Sequence, residues 1–450
     1  MEFKNKSRLA AENVLKLLKQ EEGRIEYPIN PFKILHRYKV IITYSDFDNL
    51  EGLLLFDKQK KSIVAINKGS RIRRQRFTAA HELGHIVLHS DSKIDKFYCP
   101  ISSKKNKIER EADDFASYLL MPDIELNKLV DQYQNEEGKV DLDDCLRISE
   151  YFGVSFECCV RTIRFRLNRL IYQFSGDKLN KLISDYKPEL KRKELFNNTS
   201  DLSLLLNTLN YSCFSIPNLM DIIGIKFMQN LIYHDNRLEN NNVSMEKIKE
   251  IYADFRVNNN KSKFCHEKNQ KIIEVLGNIE MNKYCLQTTD DINIFKIREL
   301  NKLLYKYVPY PESIGLFRTT DNLILGGKTQ PVSNEKLIYK LEELNDSLKI
   351  LIKNIDKYTV GDYICEVANI HYKLTVLHPF NDGNGRVARA FMNWLLRLKK
   401  LCPIYIDSRN KTQYLKALNK IDLTGDNTDL QLIIAKSIIN TMAELHDSWK

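Results

Sequence analysis

LHPFNDGNGRVARAF, Leu377 to Phe391, sets one histidine ahead of a short loop, one acid inside it and two arginines behind it. Gly383, Asn384 and Gly385 let the backbone turn tightly and expose its N–H groups. A helix from about Arg386 to Leu398 then presents its N-terminus to the same point, and such a nest holds phosphate. Arg386 and Arg389 stand close to one helical turn apart, so both can grip phosphate oxygens. Asp382 would repel phosphates unless a cation intervened, which implies Mg2+. His378 then has a task, because a neutral imidazole beside a bound nucleoside triphosphate accepts the proton of an attacking hydroxyl. The stretch reads as a transferase site carried on helices, with Pro379 and Phe380 fixing the loop.

The run His378-Pro379-Phe380-x-Asp382-Gly383-Asn384-Gly385-Arg386-x-x-Arg389 resembles the motif of the Fic/Doc family at every position. The likeness covers about residues 220–450. It implies an all-α domain, with Mg2+ and ATP, that transfers AMP to a protein Ser, Thr or Tyr hydroxyl. It also implies His378 as the base, Asp382 as the Mg2+ ligand, and Asn384 and Arg386 as phosphate contacts. Doc-like members phosphorylate and carry lysine in place of the loop's second glycine, so Gly385 favours AMP transfer. SIGLFRTTDNLILGGKTQP, with turn signals at Asp321-Asn322 and Gly326-Gly327, resembles the family's β-hairpin flap, with Phe317, Leu323 and Ile324 as flap residues. Tyr414 stands where the family often has an aromatic near the nucleotide, and a core tyrosine explains it equally well.

MQNLIYHDNRLENNNVSMEKIKEI, Met228 to Ile251, resembles the family's inhibitory helix, Ser/Thr-x-x-x-Glu-Gly/Asn. Glu239 and Asn240 fit, while Asp235 replaces the usual Ser or Thr. An ion pair from Glu239 to Arg389 would remove a γ-phosphate partner and place an anion where phosphate belongs.

A second constellation lies far upstream. RFTAAHELGHIVLHS contains His81, Glu82 and His85, and imidazoles at i and i+4 share one helical face and can reach one ion. Zinc lowers the pKa of a bound water to about 7, and Glu82 stands ready to take its proton. A third ligand is required. EREADDFASYLLMP supplies Glu109, with Asp113 able to hold the far nitrogen of a ligand histidine and Glu111 as the alternative ligand. His89 continues the face at the helix end. These two stretches resemble the ImmA/IrrE family of metallopeptidases over about residues 1–170. That likeness implies a zincin-type α+β fold and cleavage of a repressor or antitoxin peptide.

The expected fold is therefore mainly α with a small N-terminal sheet, followed by an all-α domain bearing a hairpin flap. The domains expected are 1–170 with a helix-turn-helix-like tail, a helical linker at 171–220, and 221–450 opening on the inhibitory helix. KVIITYSDF, GLLLFD and SIVAIN read as strands, Arg76–Leu88 and Ile108–Met121 as helices, and 90–106 as a polar interruption. Residues 141–167 read as two helices about a turn at Gly153, a pattern shared by DNA-reading modules and plain helix pairs.

With 450 residues, 43% hydrophobic, the chain is long enough for two or three cores and too apolar for wholesale disorder. A net charge of +10 admits an anionic partner without demanding one. Nine scattered cysteines without a C-x-x-C pair argue against a disulfide framework. No apolar run suits a signal peptide or a membrane span, so a cytoplasmic, reduced setting is expected. Three readings follow: an autoinhibited adenylyltransferase fused to a zinc peptidase; a Fic-like module under a non-catalytic metal sensor or DNA-binding regulator; and a toxin with its own control element. ATP and a protein hydroxyl are the expected partners, and oligomeric state is left open.

Overall fold

The computed structural model describes residues 2–56, 61–90, 96–100, 106–196, 199–212, 224–309, 314–322 and 331–447. It divides into two units, Met1–Pro217 and Asn218–Lys450.

In the first unit three short apolar runs form strands β1 (Ile41–Ser45), β2 (Leu50–Phe56) and β3 (Ser62–Asn67). β1 pairs parallel with β3, and β2 pairs antiparallel with β3. A fourth strand, β4 (Lys96–Pro100), adds antiparallel to β2 at the edge, giving the order β1-β3-β2-β4. This strand falls within the expected polar interruption. It is only five residues long and shows a single alternation, with Phe97 and Cys99 buried on either side of an exposed Tyr98.

Helices α1 (Glu2–Glu22), α2 (Pro31–Arg37), α3 (Ile72–His89), α4 (Lys107–Leu120) and α5 (Asp123–Tyr133) accompany this sheet. α3 packs on β2, β3, β4 and α4. The Asn106 side chain caps α4 through the Glu109 N–H, which fixes where that helix starts and hence where its acids fall. β2 runs so close to α3 that a Cβ at Gly52 would meet Thr78 Cγ2 at 2.4 Å, so only glycine fits.

The expected helix pair is present as α6 (Leu142–Phe152) and α7 (Phe156–Thr162). An Asp141–Asp144 capping box starts α6, and Gly153 ends it at φ +62°. Arg76, fully buried in α3, donates to the Gly153 and Ile29 carbonyls and ties the pair to the sheet layer.

The stretch expected as a linker, 171–220, is largely part of the first unit. It carries α8 (Gly176–Asp185), α9 (Pro188–Leu195) and α10 (Thr199–Ser212), and α10 packs on α2, α3 and β1. The physical reason is an apolar face: Leu202, Leu204, Leu205 and Leu209 are all buried. The expected boundary at residue 170 thus moves to 217.

The second unit is all-helical among its described residues: α11 (Ile225–Leu238), α12 (Met245–Asn258), α13 (Gln270–Gln287), α14 (Ile297–Leu304), α15 (Asn334–Lys353), α16 (Val360–Leu377), α17 (Asn384–Leu398), α18 (Lys411–Thr424) and α19 (Thr428–Asp447). One core cluster joins α11, α12 and α13 through Ile232, Ile248, Ile251, Phe255, Val275 and Ile279. α17 lies at the centre, with Phe391, Trp394, Leu395 and Leu396 buried against its neighbours. Residues 323–330, which include the expected flap residues Leu323 and Ile324, lie outside the described residues. Among the described residues no helix is long and apolar enough to cross a membrane.

Candidate functional site

Helical spacing puts His81, His85 and His89 on one face of α3, and α4 lays its acids against them. The Nε2 atoms of His81 and His85 are 3.1 Å apart. Glu109 brings Oε2 to 3.2 Å from His81 Nε2 and Oε1 to 3.4 Å from His85 Nε2. Asp113 Oδ1 holds the other face of His81, 3.0 Å from Nδ1. Glu111, the alternative third ligand, goes elsewhere, with Oε2 3.0 Å from His89 Nε2. His89 in turn brings Nδ1 to 3.1 Å from His85 Nδ1. Both ligand imidazoles therefore have a partner on the side away from Glu109, which directs their Nε2 atoms to one point.

The residues fit zinc. Glu109 Oε2 is close to His81 yet has no hydrogen-bond partner, and both oxygens of the fully buried Glu82 also lack one. Two imidazole nitrogens and a carboxylate converging on a point none of them fills match the donors zinc takes. The electrostatics agree. Burial pushes the Glu82 carboxyl up to about 8, with Glu109 adding to the effect. Burial likewise pushes His85 down to about 4. For His81 burial works against the charge, but Asp113, Cys99 and Glu109 outweigh it and raise the pKa. Glu109 is held at about 2, since the two imidazoles overcome its burial. Sequence reasoning missed Cys99, whose thiol on β4 lies within 4.8 Å of a ring nitrogen of His81 and of the Glu82 carboxylate.

In the second unit α16 ends at His378, which adopts φ +46°, a conformation that costs a side-chain-bearing residue about 1 kcal/mol or more. Arg318 holds it there. This buried guanidinium donates to the carbonyls of His378 (3.0 Å), Thr320 (3.0 Å), Val332 and Leu377 (3.4 Å). The Arg318 N–H donates to Pro379 O at 2.9 Å. Phe317 packs its ring on Phe380, 5.7 Å between centroids. Burial lowers the His378 pKa, and Arg318 lowers it further against a hydrogen bond from the ring to the Thr375 backbone. The ring is thus neutral at neutral pH, with one nitrogen engaged and the other available as an acceptor.

Gly383, at φ +80°, opens α17, and a Cβ there would meet Leu304 Cδ2 at 2.7 Å. Asn384 closes a ring with Phe380, accepting from its N–H and donating to its C=O, both at 2.8 Å. Its amide therefore shapes the loop from within. Asp382 extends its carboxylate outward, 72% exposed, with Oδ2 4.0 Å from Arg386. An open carboxylate at the mouth of the loop fits Mg2+, a hard cation that favours oxygen donors.

Both loop arginines are buried and engaged. Arg386 donates to Glu274 Oε2 at 2.7 Å and to the Tyr305 hydroxyl at 3.0 Å. Arg389 donates through Nη2 to Glu239 Oε1 at 2.7 Å, the expected pair, and through Nε to Asp235 Oδ1 at 2.5 Å. Glu239 caps the C-terminus of α11, and Asn240 follows in the left-handed conformation. That geometry explains why Gly or Asn suits position 240. Glu239 also lies over Gly385, where a Cβ would meet Oε1 at 2.3 Å. Burial opposes the Glu239 charge, but Arg389 outweighs it and lowers the pKa. Tyr414 is buried, its hydroxyl 2.7 Å from His371 Nε2, which is core packing behind Arg389.

Cations at the end of α7 and in the turns that follow it are occupied. Arg161 pairs with Glu157 and Asn180, Arg164 with the Phe174 and Gln173 carbonyls, and Arg166 with Asp123 and the Ser117 carbonyl.

Comparison with known proteins matches residues 36–164 to the IrrE N-terminal-like domain and residues 291–396 to the Fic/DOC family, so the fused architecture stands. Protein adenylyltransferase fic-1 of Caenorhabditis elegans is 30% identical over 206 residues, 46% of this chain and 38% of that protein. Protein adenylyltransferase Fic of Nematostella vectensis is 30% identical over 193 residues, 42% of each. The chain spans less than half the length of these relatives. Among solved structures, Fic-1 (residues 134–508) of C. elegans aligns at a TM-score of 0.44 with 19% identity, covering 78% of this chain and 89% of that one. A Fic-domain-containing signaling protein of Bacteroides thetaiotaomicron aligns at 0.42 with 20% identity, covering 53% and 94%.

Proposed function

We propose that the second unit is a protein adenylyltransferase held in a resting state, and that the first is a zinc-dependent peptidase unit acting on a repressor or antitoxin peptide. The observation that carries the transferase reading is a neutral His378 locked over an anion nest whose two arginines already hold carboxylates. Mg2+, when bound with ATP, neutralises phosphate charge near Asp382. The protein's own groups do the rest. The N–H groups that open α17 and the Arg386 side chain hold the phosphates. A target hydroxyl oxygen attacks the α-phosphorus while His378 takes its proton, a P–O bond forms to the target, and pyrophosphate leaves. Phe317 and Arg318 fix to the loop the segment that leads into the expected flap. Glu239 and Asp235 occupy Arg389 and keep the γ-phosphate out until α11 moves.

In the first unit zinc, when bound by His81, His85 and Glu109, supplies Lewis-acid activation. Asp113 orients His81, His89 backs His85, and Glu82 holds the proton of the nucleophile. A second reading, a metal-binding regulator without hydrolysis, is favoured by the thiol of Cys99 beside the same cluster.

The transferase test is mass spectrometry after incubation with ATP and Mg2+. Self-labelling by +AMP should rise in Glu239→Gly and vanish in His378→Ala, and labelling that persists without His378 would overturn the reading. For the first unit, zinc-dependent fragments should appear with intact protein and not with Glu82→Gln.

A further inference from the structure

We propose that Glu274 is a positioning residue for the nucleotide: with Tyr305 it fixes the Arg386 guanidinium at the anion nest. The inference rests on the reading of the second unit as an adenylyltransferase. Arg386 and Arg389 lie three residues apart on α17, and each meets a carboxylate, but the two carboxylates are anchored differently. Glu239 sits at the C-cap of α11 with its side chain a third exposed. Glu274 lies within α13, and its side chain is only 12% exposed. Its Oε2 accepts from Arg386 Nη1 at 2.7 Å, while Oε1 accepts at 2.9 Å from Gln270 Nε2, one turn back on the same helix. Its neighbours Ile273, Val275 and Leu276 are buried, so this carboxylate belongs to the core of the unit.

The fold brings Tyr305 to the same guanidinium. Gly277, three residues after Glu274, lets the end of α14 touch α13, since a Cβ there would meet the Leu304 carbonyl oxygen at 1.8 Å. Tyr305, next along the chain, caps α14. Its hydroxyl accepts from Arg386 Nη2 at 3.0 Å and also packs on the nest, where a Cβ on Gly383 would meet it at 3.0 Å. Arg386 is thus held on both Nη groups, by α13 and by the end of α14, beside the glycine that opens α17. Its buried Nε has no hydrogen-bond partner among the described residues.

A free arginine follows charge and meets a triphosphate in several poses. One clamped at two points offers its remaining N–H groups in one direction. The Glu274 charge also offsets that of Arg386, so phosphate is selected by hydrogen-bond geometry more than by surplus charge. Glu274 stays when Glu239 leaves, because its departure would strand a buried cation.

The experiment uses the full-length Glu239→Gly protein and adds Glu274→Ala, Glu274→Gln or Tyr305→Phe. Self-labelling kinetics give kcat and the KM for ATP, and calorimetry with pyrophosphate reads binding without turnover. Glu274→Ala should lower kcat at least about tenfold while pyrophosphate binds several-fold tighter, because the arginine gains charge and loses direction. Glu274→Gln, which keeps an acceptor oxygen, should recover most of kcat and still bind pyrophosphate tighter. Tyr305→Phe should lower kcat and leave pyrophosphate affinity level, as no charge changes. Unchanged kcat in Glu274→Ala would overturn the proposal, as would equal losses in the Ala and Gln variants. Lost kcat with weaker pyrophosphate binding would mark structural damage and overturn it too. If Glu274→Ala does not fold, unchanged pyrophosphate affinity in Glu274→Gln or unchanged kcat in Tyr305→Phe sinks it. Absence of labelling in Glu239→Gly itself would remove the transferase reading, and pyrophosphate affinity would still report on the clamp.

Discussion

Asp235 in the last turn of α11 and Glu239 at its cap take different nitrogens of the same guanidinium, Nε and Nη2 of Arg389. Asn278 supports the arrangement by donating to the other oxygen of Asp235 at 2.9 Å. The residue that departs from the expected Ser/Thr-x-x-x-Glu pattern is thus a second carboxylate on the brake. Arg389 and Asp235 are both buried, whereas Glu239 is about a third exposed. Glu239→Gly should therefore release the nucleotide site only in part. Glu239→Gly with Asp235→Ser should label itself about tenfold faster again, because a buried arginine without a counter-charge seeks phosphate. The double variant should also lose about 3 kcal/mol of stability in the absence of nucleotide and recover much of it with ATP. Labelling rates and melting with and without ATP measure both effects. Equal rates for the single and double variants would dismiss Asp235 as a lock.

The pH profile follows from His378. Its pKa lies below the ordinary imidazole value, so the ring is unprotonated and able to accept a proton throughout the neutral range. The labelling rate of Glu239→Gly should be flat near neutrality. It should fall on acidification only at a pH below that where a free imidazole titrates. A rate that declines already between pH 7 and 8 as the solution is acidified would contradict a depressed pKa.

Much of this was legible from local pattern. The H-E-x-x-H face, the phosphate loop and Glu239 declare themselves because each depends on spacing along one helix or one turn. Arg318 did not, because its five backbone contacts join the base of the expected flap, the end of α16 and the segment before α15, which only the fold brings together. Cys99 was hidden for a similar reason, since a five-residue edge strand carries too little periodicity to announce itself. The stretch 171–217 misled because its charged surface masks four leucines on one face of α10. Leu323 and Ile324 fall outside the described residues.

Arg318 offers a test that separates positioning from binding. Its guanidinium donates to the carbonyls of Leu377 and His378, and a lysine has neither the planar fork nor the number of N–H groups to replace it. In a Glu239→Gly background, Arg318→Lys should lower kcat at least about tenfold through misplacement of the base. The KM for ATP should change little, since the phosphate nest lies on α17. Steady-state labelling kinetics distinguish the two parameters. A rise in KM with kcat intact would assign Arg318 to nucleotide binding instead.

Zinc uptake should release protons, and the sign comes from the ligands. Before metal binds, His81 carries a raised pKa and holds a proton at pH 7, as does Glu82 at about 8. His85, at about 4, and Glu109, at about 2, have already lost theirs. A cation at this point must displace the His81 proton and draws off that of Glu82, so at least about one proton leaves per zinc bound at pH 7. Affinity should accordingly rise with pH through the neutral range, rather than being level as it would be for His85 and Glu109 alone. Calorimetry in buffers of different ionisation enthalpy counts the protons directly. Glu109→Gln should abolish binding and with it the zinc-induced rise in melting temperature. Uptake of zinc with no proton released would mean that Asp113 does not hold His81 charged in the empty site.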